Sequence, residues 1–233
     1  MTALNPTPAL VADGSRQLGP IAGRAFRLTL GAGLAMLVVS FIIAYATKMD
    51  LARFMKSYLL GFAYVLSICL GALFFTVVQH ITKAGWSVTV RRVAEAIAAN
   101  LKIIWVLFLP IAIIALANAG KVLYSWMDVN KLDPTYGGYD FLYDHKSGYL
   151  NAGFWAARAV LFLGIWAALG WFYHSTSVRQ DADGDKRHSH LMQKVAPIGI
   201  LLFALTLTYA AVDWVMALEA HWFSTMFGVY FFA

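Results

Sequence analysis

The chain has 233 residues, 61% of them hydrophobic and only 13% charged, with a formal net charge of +6. A water-soluble domain carries about a quarter charged residues, so this composition excludes an ordinary soluble fold, and the mean hydropathy of +0.66 agrees. The single cysteine, Cys69, excludes an internal disulfide, a thiolate zinc site, an iron–sulfur cluster and a covalently attached c-type haem within the chain.

Residues 1–23 are polar and dotted with proline, without the apolar core of a cleavable signal peptide, and read as a cytoplasmic tail. Residues 24–233 read as an all-α, polytopic transmembrane helix bundle. Unbroken apolar runs cover 28–47, 58–78, 103–120, 152–173 and 196–218, each close to the ~20 residues that cross about 30 Å of hydrocarbon. Backbone groups in lipid must be satisfied internally, so these runs are expected as helices. A sixth run begins at 226 and stops at 233, the pattern of a truncated or incomplete chain.

With the N-terminus inside, the inner segments hold eleven Lys and Arg and the outer ones six, Arg158 falling within the fourth run. That bias places the N-terminus in the cytoplasm, and it gives the sequence pI of about 9.4 a membrane-surface meaning rather than a nucleic-acid one. The inner connection 83–102 reads as an amphipathic surface helix, with Val90, Val93, Ala94 and Ile97 on one face and Arg91, Arg92 and Glu95 flanking it. The outer loop 121–151 carries the turn signals Asp133-Pro134 and Gly137-Gly138 and aromatics suited to an interfacial cap. Trp86, Trp126, Trp155, Trp171 and Trp222 are expected at the interfaces. Ser67 with Gly71, and Gly31 with Ala35, are small-residue pairs that permit close helix approach. Pro110 is expected to kink the third helix and free a carbonyl. The stretch 181–185 alternates Asp as a calcium loop does, but its glycine is misplaced and Met192 stands where the bidentate acid belongs, so it reads as a solvated turn.

Ionisable side chains at membrane depth are costly and therefore mark candidate sites. Arg158, two turns into the fourth helix, and Asp213, late in the fifth, reach similar depth because the helices run in opposite directions. Asn118 and Lys121 end the third helix at that level, and Glu219 and His221 follow just beyond. Thr206, Tyr209 and Asp213, at i, i+3 and i+7, form a polar stripe able to pass protons. The same residues also admit a purely structural Arg158–Asp213 ion pair. His80 and His174, ending the second and fourth helices, are a haem-ligand candidate pair against the simpler reading of interfacial histidines. No residue pattern assigns a catalytic or metal-binding role.

Three stretches resemble a known family: 211–232 (Ala-Val-Asp-Trp-Val-Met-Ala-Leu-Glu-Ala-His-Trp-Phe and onward), Gly85-Trp86-Ser87-Val88 through Arg91-Arg92-Val93-Ala94-Glu95, and Lys146 through Tyr149-Leu150-Asn151 to Arg158. Together they resemble the F subunit of bacterial alternative complex III, a quinol:electron-acceptor oxidoreductase, among the NrfD/polysulfide-reductase-like membrane proteins. That family often has proline where this chain has Ala220, and its members continue for about as many helices again. The resemblance implies a multi-pass subunit of the bacterial cytoplasmic membrane, not catalytic alone, in a quinol-oxidising respiratory complex. Its implied partners are membrane lipid, a related polytopic subunit, and iron–sulfur and cytochrome c subunits that carry the clusters and haem c. No cofactor is assigned to this chain itself, whose contribution is expected to be a proton-conducting path, a quinone pocket or both. The resemblance casts Asp213, Glu219 and His221 as an outer proton-handling group with Arg158 as electrostatic partner; Tyr209 and Thr206 join that path on helical spacing alone. The rival expectations are a b-type cytochrome using His80 and His174, and an independent ion or solute transporter.

Overall fold

The structure, a computed structural model, describes residues 19–117, 122–128, 130, 134–135 and 139–232. The Asn118, Lys121, Asp133 and Gly137-Gly138 positions singled out above lie outside the described residues. Among those described, every regular element is helical, and five stretches are long and apolar enough to cross a membrane: Gly23–Ala46, Leu51–Ile81, Val90–Ala117, Ala152–Asp183 and Arg187–Leu218. The chain divides into two compact units, Met1–Asp50 and Leu51–Ala233.

The first unit is the helix α1 (Gly19–Ala46). Its hydroxyls do not seek partners outside the helix. Thr29 bonds back to the Ala25 carbonyl at 3.0 Å, Ser40 to Leu37 at 2.8 Å, and Thr47, just past the end, to Ile43 at 2.7 Å. Back-bonding of this kind lets a polar residue sit in an apolar helix without an unsatisfied group.

The second unit is built on three long helices, α2 (Leu51–Ile81), α6 (Ala152–Asp183) and α7 (Arg187–Trp214). Between α2 and α6 lie α3 (Val88–Ala98), a 3-10 turn (Ala99–Lys102), α4 (Ile104–Ala117) and the short α5 (Phe141–Lys146). A last short helix, α8 (Phe227–Phe232), packs on α7. Asn151 caps α6, its carboxamide accepting from the Phe154 amide at 2.8 Å, and Gly184 ends it with a left-handed φ of 68°. At 32 residues α6 is about 48 Å long, so its charged last turns extend past a ~30 Å hydrocarbon layer.

The third crossing differs from the sequence expectation. As described, α4 has 14 residues, about 21 Å, too short to cross alone. The helical path runs back through the 3-10 turn into α3, which packs on α2 and α6. The expected apolar face is divided: Val90 and Val93 are exposed, Ala94 is buried and Ile97 packs against the core, while Glu95 is 1% exposed and faces inward. The reason is pairing, because Glu95 finds Arg91 and Arg92 on its own helix and His80 on α2. Pro110 removes the amide that would serve the Val106 carbonyl, and Tyr58 donates at 2.9 Å to the neighbouring Leu107 carbonyl.

Close helix approach occurs at other small residues than those expected. A Cβ at Gly71 would meet nothing within 4 Å. At Gly170 of α6 it would stand 2.5 Å from the Ala98 carbonyl oxygen, and at Gly199 of α7 3.4 Å from the Tyr173 hydroxyl. Trp86, Trp171 and Trp222 are exposed as interfacial residues are, but Trp126 and Trp155 are buried, for a reason given by the site itself.

Gly170→Ala should therefore force α6 away from the α3–α4 connection and cost about 1–3 kcal/mol, seen as a lower thermal midpoint of the detergent-solubilised chain. Gly61→Ala, with open space around its Cβ, should leave that midpoint unchanged or raise it slightly.

Candidate functional site

Helix α7 ends at Trp214, and a helix end leaves its last carbonyls without intrahelical donors. Here side chains supply them. Trp155 of α6 donates its indole N–H to the Asp213 carbonyl at 3.1 Å, Tyr124 donates to the Trp214 carbonyl at 3.0 Å, and Trp126 donates to the Ala217 carbonyl at 3.0 Å. The Lys146 ammonium reaches the Ala220 carbonyl. Trp126 and Trp155 are buried because they cap this helix end, and a cation beside it also complements the helix dipole.

Against this end sits a bidentate ion pair. Arg158 Nε donates to Asp213 Oδ2 at 2.6 Å and Nη2 donates to Oδ1 at 3.0 Å. Asp213 is 0% exposed and Arg158 7%. The third guanidinium nitrogen, Nη1, donates to the Tyr149 carbonyl at 3.1 Å, while the guanidinium lies 3.9 Å from the Tyr149 ring centre and 4.2 Å from that of Phe154. Burial, followed by the Asp213 charge, pushes the Tyr149 and Tyr124 phenols well above their ordinary range, so both stay neutral; Tyr124 donates as described, while the Tyr149 hydroxyl makes no hydrogen bond among the described residues.

The remaining predicted residues separate into other settings. Glu219 and His221 are exposed, and His221 pairs through Nε2 with Asp140 at 2.6 Å and lies 3.4 Å from Glu219 through Nδ1. Asp140 was not singled out from the sequence, although an Asp directly before a short apolar helix is an N-cap signal: its carboxylate accepts from the Leu142 amide at 3.0 Å. Desolvation pushes the Asp140 carboxyl up, but the Leu142 and Tyr143 amides and the His221 ring outweigh it and hold it below the ordinary carboxylate range.

The stripe on α7 is divided. Thr206 is buried, accepts from the Trp166 indole at 2.8 Å and bonds back to the Leu202 carbonyl at 2.6 Å. Tyr209 is 49% exposed. Between Thr206 and Asp213 the interior is aromatic, with the Trp214 ring 4.7 Å from Phe108 and 5.7 Å from Trp166. At the opposite end of the bundle His80 is buried, its ring stacked on Tyr173 at 5.3 Å and its Nε2 3.9 Å from Glu95; His174 is partly buried.

A cavity of about 400 Å³ opens beside the ion pair, lined by His145, Lys146, Tyr149, Met216, Trp222 and Phe223 among others. Its wall is mostly apolar with Lys146, His145 and Tyr149 as its polar groups. That composition suits a ring-shaped organic ligand.

Removing one member of the buried pair, as in Arg158→Ala, should cost about 3–5 kcal/mol because it strands the other charge. Replacing both, Arg158→Met with Asp213→Leu, should recover most of the loss in thermal unfolding of the solubilised chain. The Asp140 contact has its own pH signature. Because its carboxyl is held low in the folded chain, the stabilisation is present above the ordinary carboxylate range and disappears as pH falls below about 4. The protection of the Leu142 amide against exchange, relative to its intrinsic rate, should fall in that acid window and, at neutral pH, in Asp140→Asn.

No family model matches the chain, and no curated protein matches its sequence.

Proposed function

We propose that the chain is an integral membrane subunit of a quinol-oxidising respiratory electron-transfer complex of the alternative complex III type, handling charge and protons at the Arg158–Asp213 site. The membrane part of this reading rests on five apolar crossing-length helices. The respiratory part rests on the resemblance of 211–232 and the two earlier stretches. The observation that carries the site is a fully buried, bidentate carboxylate–guanidinium pair next to an apolar cavity.

Buried ion pairs add little stability over well-packed apolar residues, so a chain that keeps one in its interior has another use for it as a default expectation. In this reading Asp213 holds a negative charge in a low-dielectric setting, and Arg158 balances it. Movement of Arg158 towards the Tyr149 carbonyl, which it already contacts, would free an Asp213 oxygen to accept a proton. The 400 Å³ cavity fits a quinone head group, with Lys146 and Tyr149 as the side chains that would orient its oxygens. A bound quinol would supply electrons and protons; this chain contributes position, charge and exclusion of water. Iron–sulfur and haem centres belong to partner subunits, and the protein resides in the bacterial cytoplasmic membrane with its N-terminus inside and the Asp213 end facing outward. The haem alternative fits less well: the His80 ring is covered by Tyr173 and its Nε2 is turned towards Glu95.

An affinity-tagged chain purified from native membranes should bring haem- and iron–sulfur-containing subunits with it. In that assembly Asp213→Asn should lower quinol oxidation about a hundredfold, and Asp213→Glu, which keeps the charge, should retain most of it. A chain that purifies alone, or an intact Asp213→Asn assembly with normal turnover, would overturn the proposal.

A further inference from the structure

Five buried polar atoms lie at the end of the bundle opposite Asp213 and make no hydrogen bond among the described residues: Gln79 Oε1, His80 Nε2, Glu95 Oε1, the Tyr173 hydroxyl and His174 Nδ1. Buried polar groups are nearly always satisfied, by protein or by ordered water, so a cluster of exceptions calls for an occupant. Two of these atoms face each other. His80 Nε2 stands 3.9 Å from Glu95 Oε1, with both side chains 1% exposed. This is too far for a hydrogen bond, and it is close enough for a full ionic interaction once the ring carries a proton.

A cavity lies against the acid of this pair. It has a volume of about 250 Å³ and is lined by Val88, Arg91, Arg92, Glu95, Ser177 and Asp181 among others. It is walled as much by polar as by apolar surface, unlike the cavity beside Asp213. The charges around the pair are accounted for from each packed element. From α3, Arg91 lies 3.3 Å and Arg92 3.4 Å from the Glu95 oxygens. From α6, Tyr173 stacks on His80 and Asp181 pairs with Arg92, which also donates to Ser177 at 2.9 Å. From α2, neutral Gln79 adjoins, and α7 comes in at Gly199 beside the Tyr173 hydroxyl. The carboxylates of Glu95 and Asp181 balance the two arginines, which leaves the imidazoles of His80 and His174, and His80 is the one within 4 Å of Glu95 among the described residues.

We propose that His80 and Glu95 form a second acid–base site, which takes up a proton from the aqueous phase at the α3 end through the polar cavity. A hydronium ion gives its proton to His80 Nε2 and leaves as water, and the imidazolium so formed pairs with the Glu95 carboxylate. The burial of Glu95 on the packed side of α3, beside Ala94 and Ala98, is what places it for this. The site stands independently of the respiratory reading, since its chemistry needs only this chain.

The test is histidine-selective nitrogen-15 NMR on the full-length chain in lipid nanodiscs, with the His80 signal assigned by its loss in His80→Asn. The His80 ring should change from the neutral to the protonated signature as pH is stepped down across the range the nanodiscs tolerate. In Glu95→Gln that change should be displaced or lost. Val88→Trp, which covers the cavity mouth without touching the pair, should slow exchange of the His80 ring proton with deuterated solvent about tenfold or more while leaving the signature at each pH unchanged. A ring fixed in one state across the range, a Glu95→Gln curve identical to the parent, or unaltered exchange in Val88→Trp would each overturn the proposal. None of these readouts depends on quinol turnover, so they fail or succeed separately from the Asp213 experiment.

Discussion

A charge inside an apolar bundle must bring its partner with it, and that constraint organises this structure. Helices α6 and α7 are joined at one end by the Arg158–Asp213 pair, with both carboxylate oxygens and all three guanidinium nitrogens engaged. The neighbouring carbonyls of α7 are served by Trp155, Tyr124, Trp126 and Lys146. The aromatic residues packed there thus have two functions at once. They fill volume, and their N–H and O–H groups terminate a helix where water is scarce. This is why the chain can afford an aspartate in the last turn of a buried helix.

The same constraint is met differently at the other end. Along α6, Arg158 and Ser177 are nineteen residues apart, about 28 Å at 1.5 Å per residue, which is close to the thickness of a hydrocarbon layer. The two charged clusters are therefore separated by about the thickness of such a layer. Between them the interior is Trp166, Trp214, Phe162, Phe108 and Phe62, with Thr206 turned to Trp166 and to its own helix. No side-chain hydrogen-bond chain joins the clusters among the described residues. Any proton that crosses must use water or motion in this aromatic layer, so each cluster is best understood as a terminal of its own.

Much of this was legible in the sequence, and the limits have a physical cause. Hydropathy gives the number of crossings, and counting residues along antiparallel runs gives depth, which is how Arg158 and Asp213 are matched before any coordinates. Neither gives rotation about a helix axis. For α3, a valine face and an Arg–Glu face look the same whether the valines meet lipid and the acid meets protein, or the helix floats on a surface; only the partners on α2 and α6 decide. Rotation also separates Tyr209 from Thr206 and Asp213, since a residue at i+3 falls short of a full turn and lands towards the exposed flank. Asp140 was hidden because it reaches His221 from a distant connection, 81 residues away. Trp126 and Trp155 look like interfacial tryptophans until the α7 carbonyls they serve are in view.

The two clusters differ in how nearly they are satisfied, and that difference bears on what each can do. At Asp213 both carboxylate oxygens and all three guanidinium nitrogens have partners at hydrogen-bond distance, while the nearby Tyr149 hydroxyl and Trp214 indole N–H make no hydrogen bond among the described residues, so protonation of Asp213 competes with Arg158. At Glu95 the geometry is loose: two arginines at 3.3–3.4 Å, a histidine at 3.9 Å, and unfilled polar atoms behind them. Loose, water-reachable pairs change protonation without rearranging the backbone, whereas tight dry ones hold a state until they are forced out of it. If both proposals hold, the bundle joins an accessible loading site to a tightly held one, the two elements that directional proton movement requires.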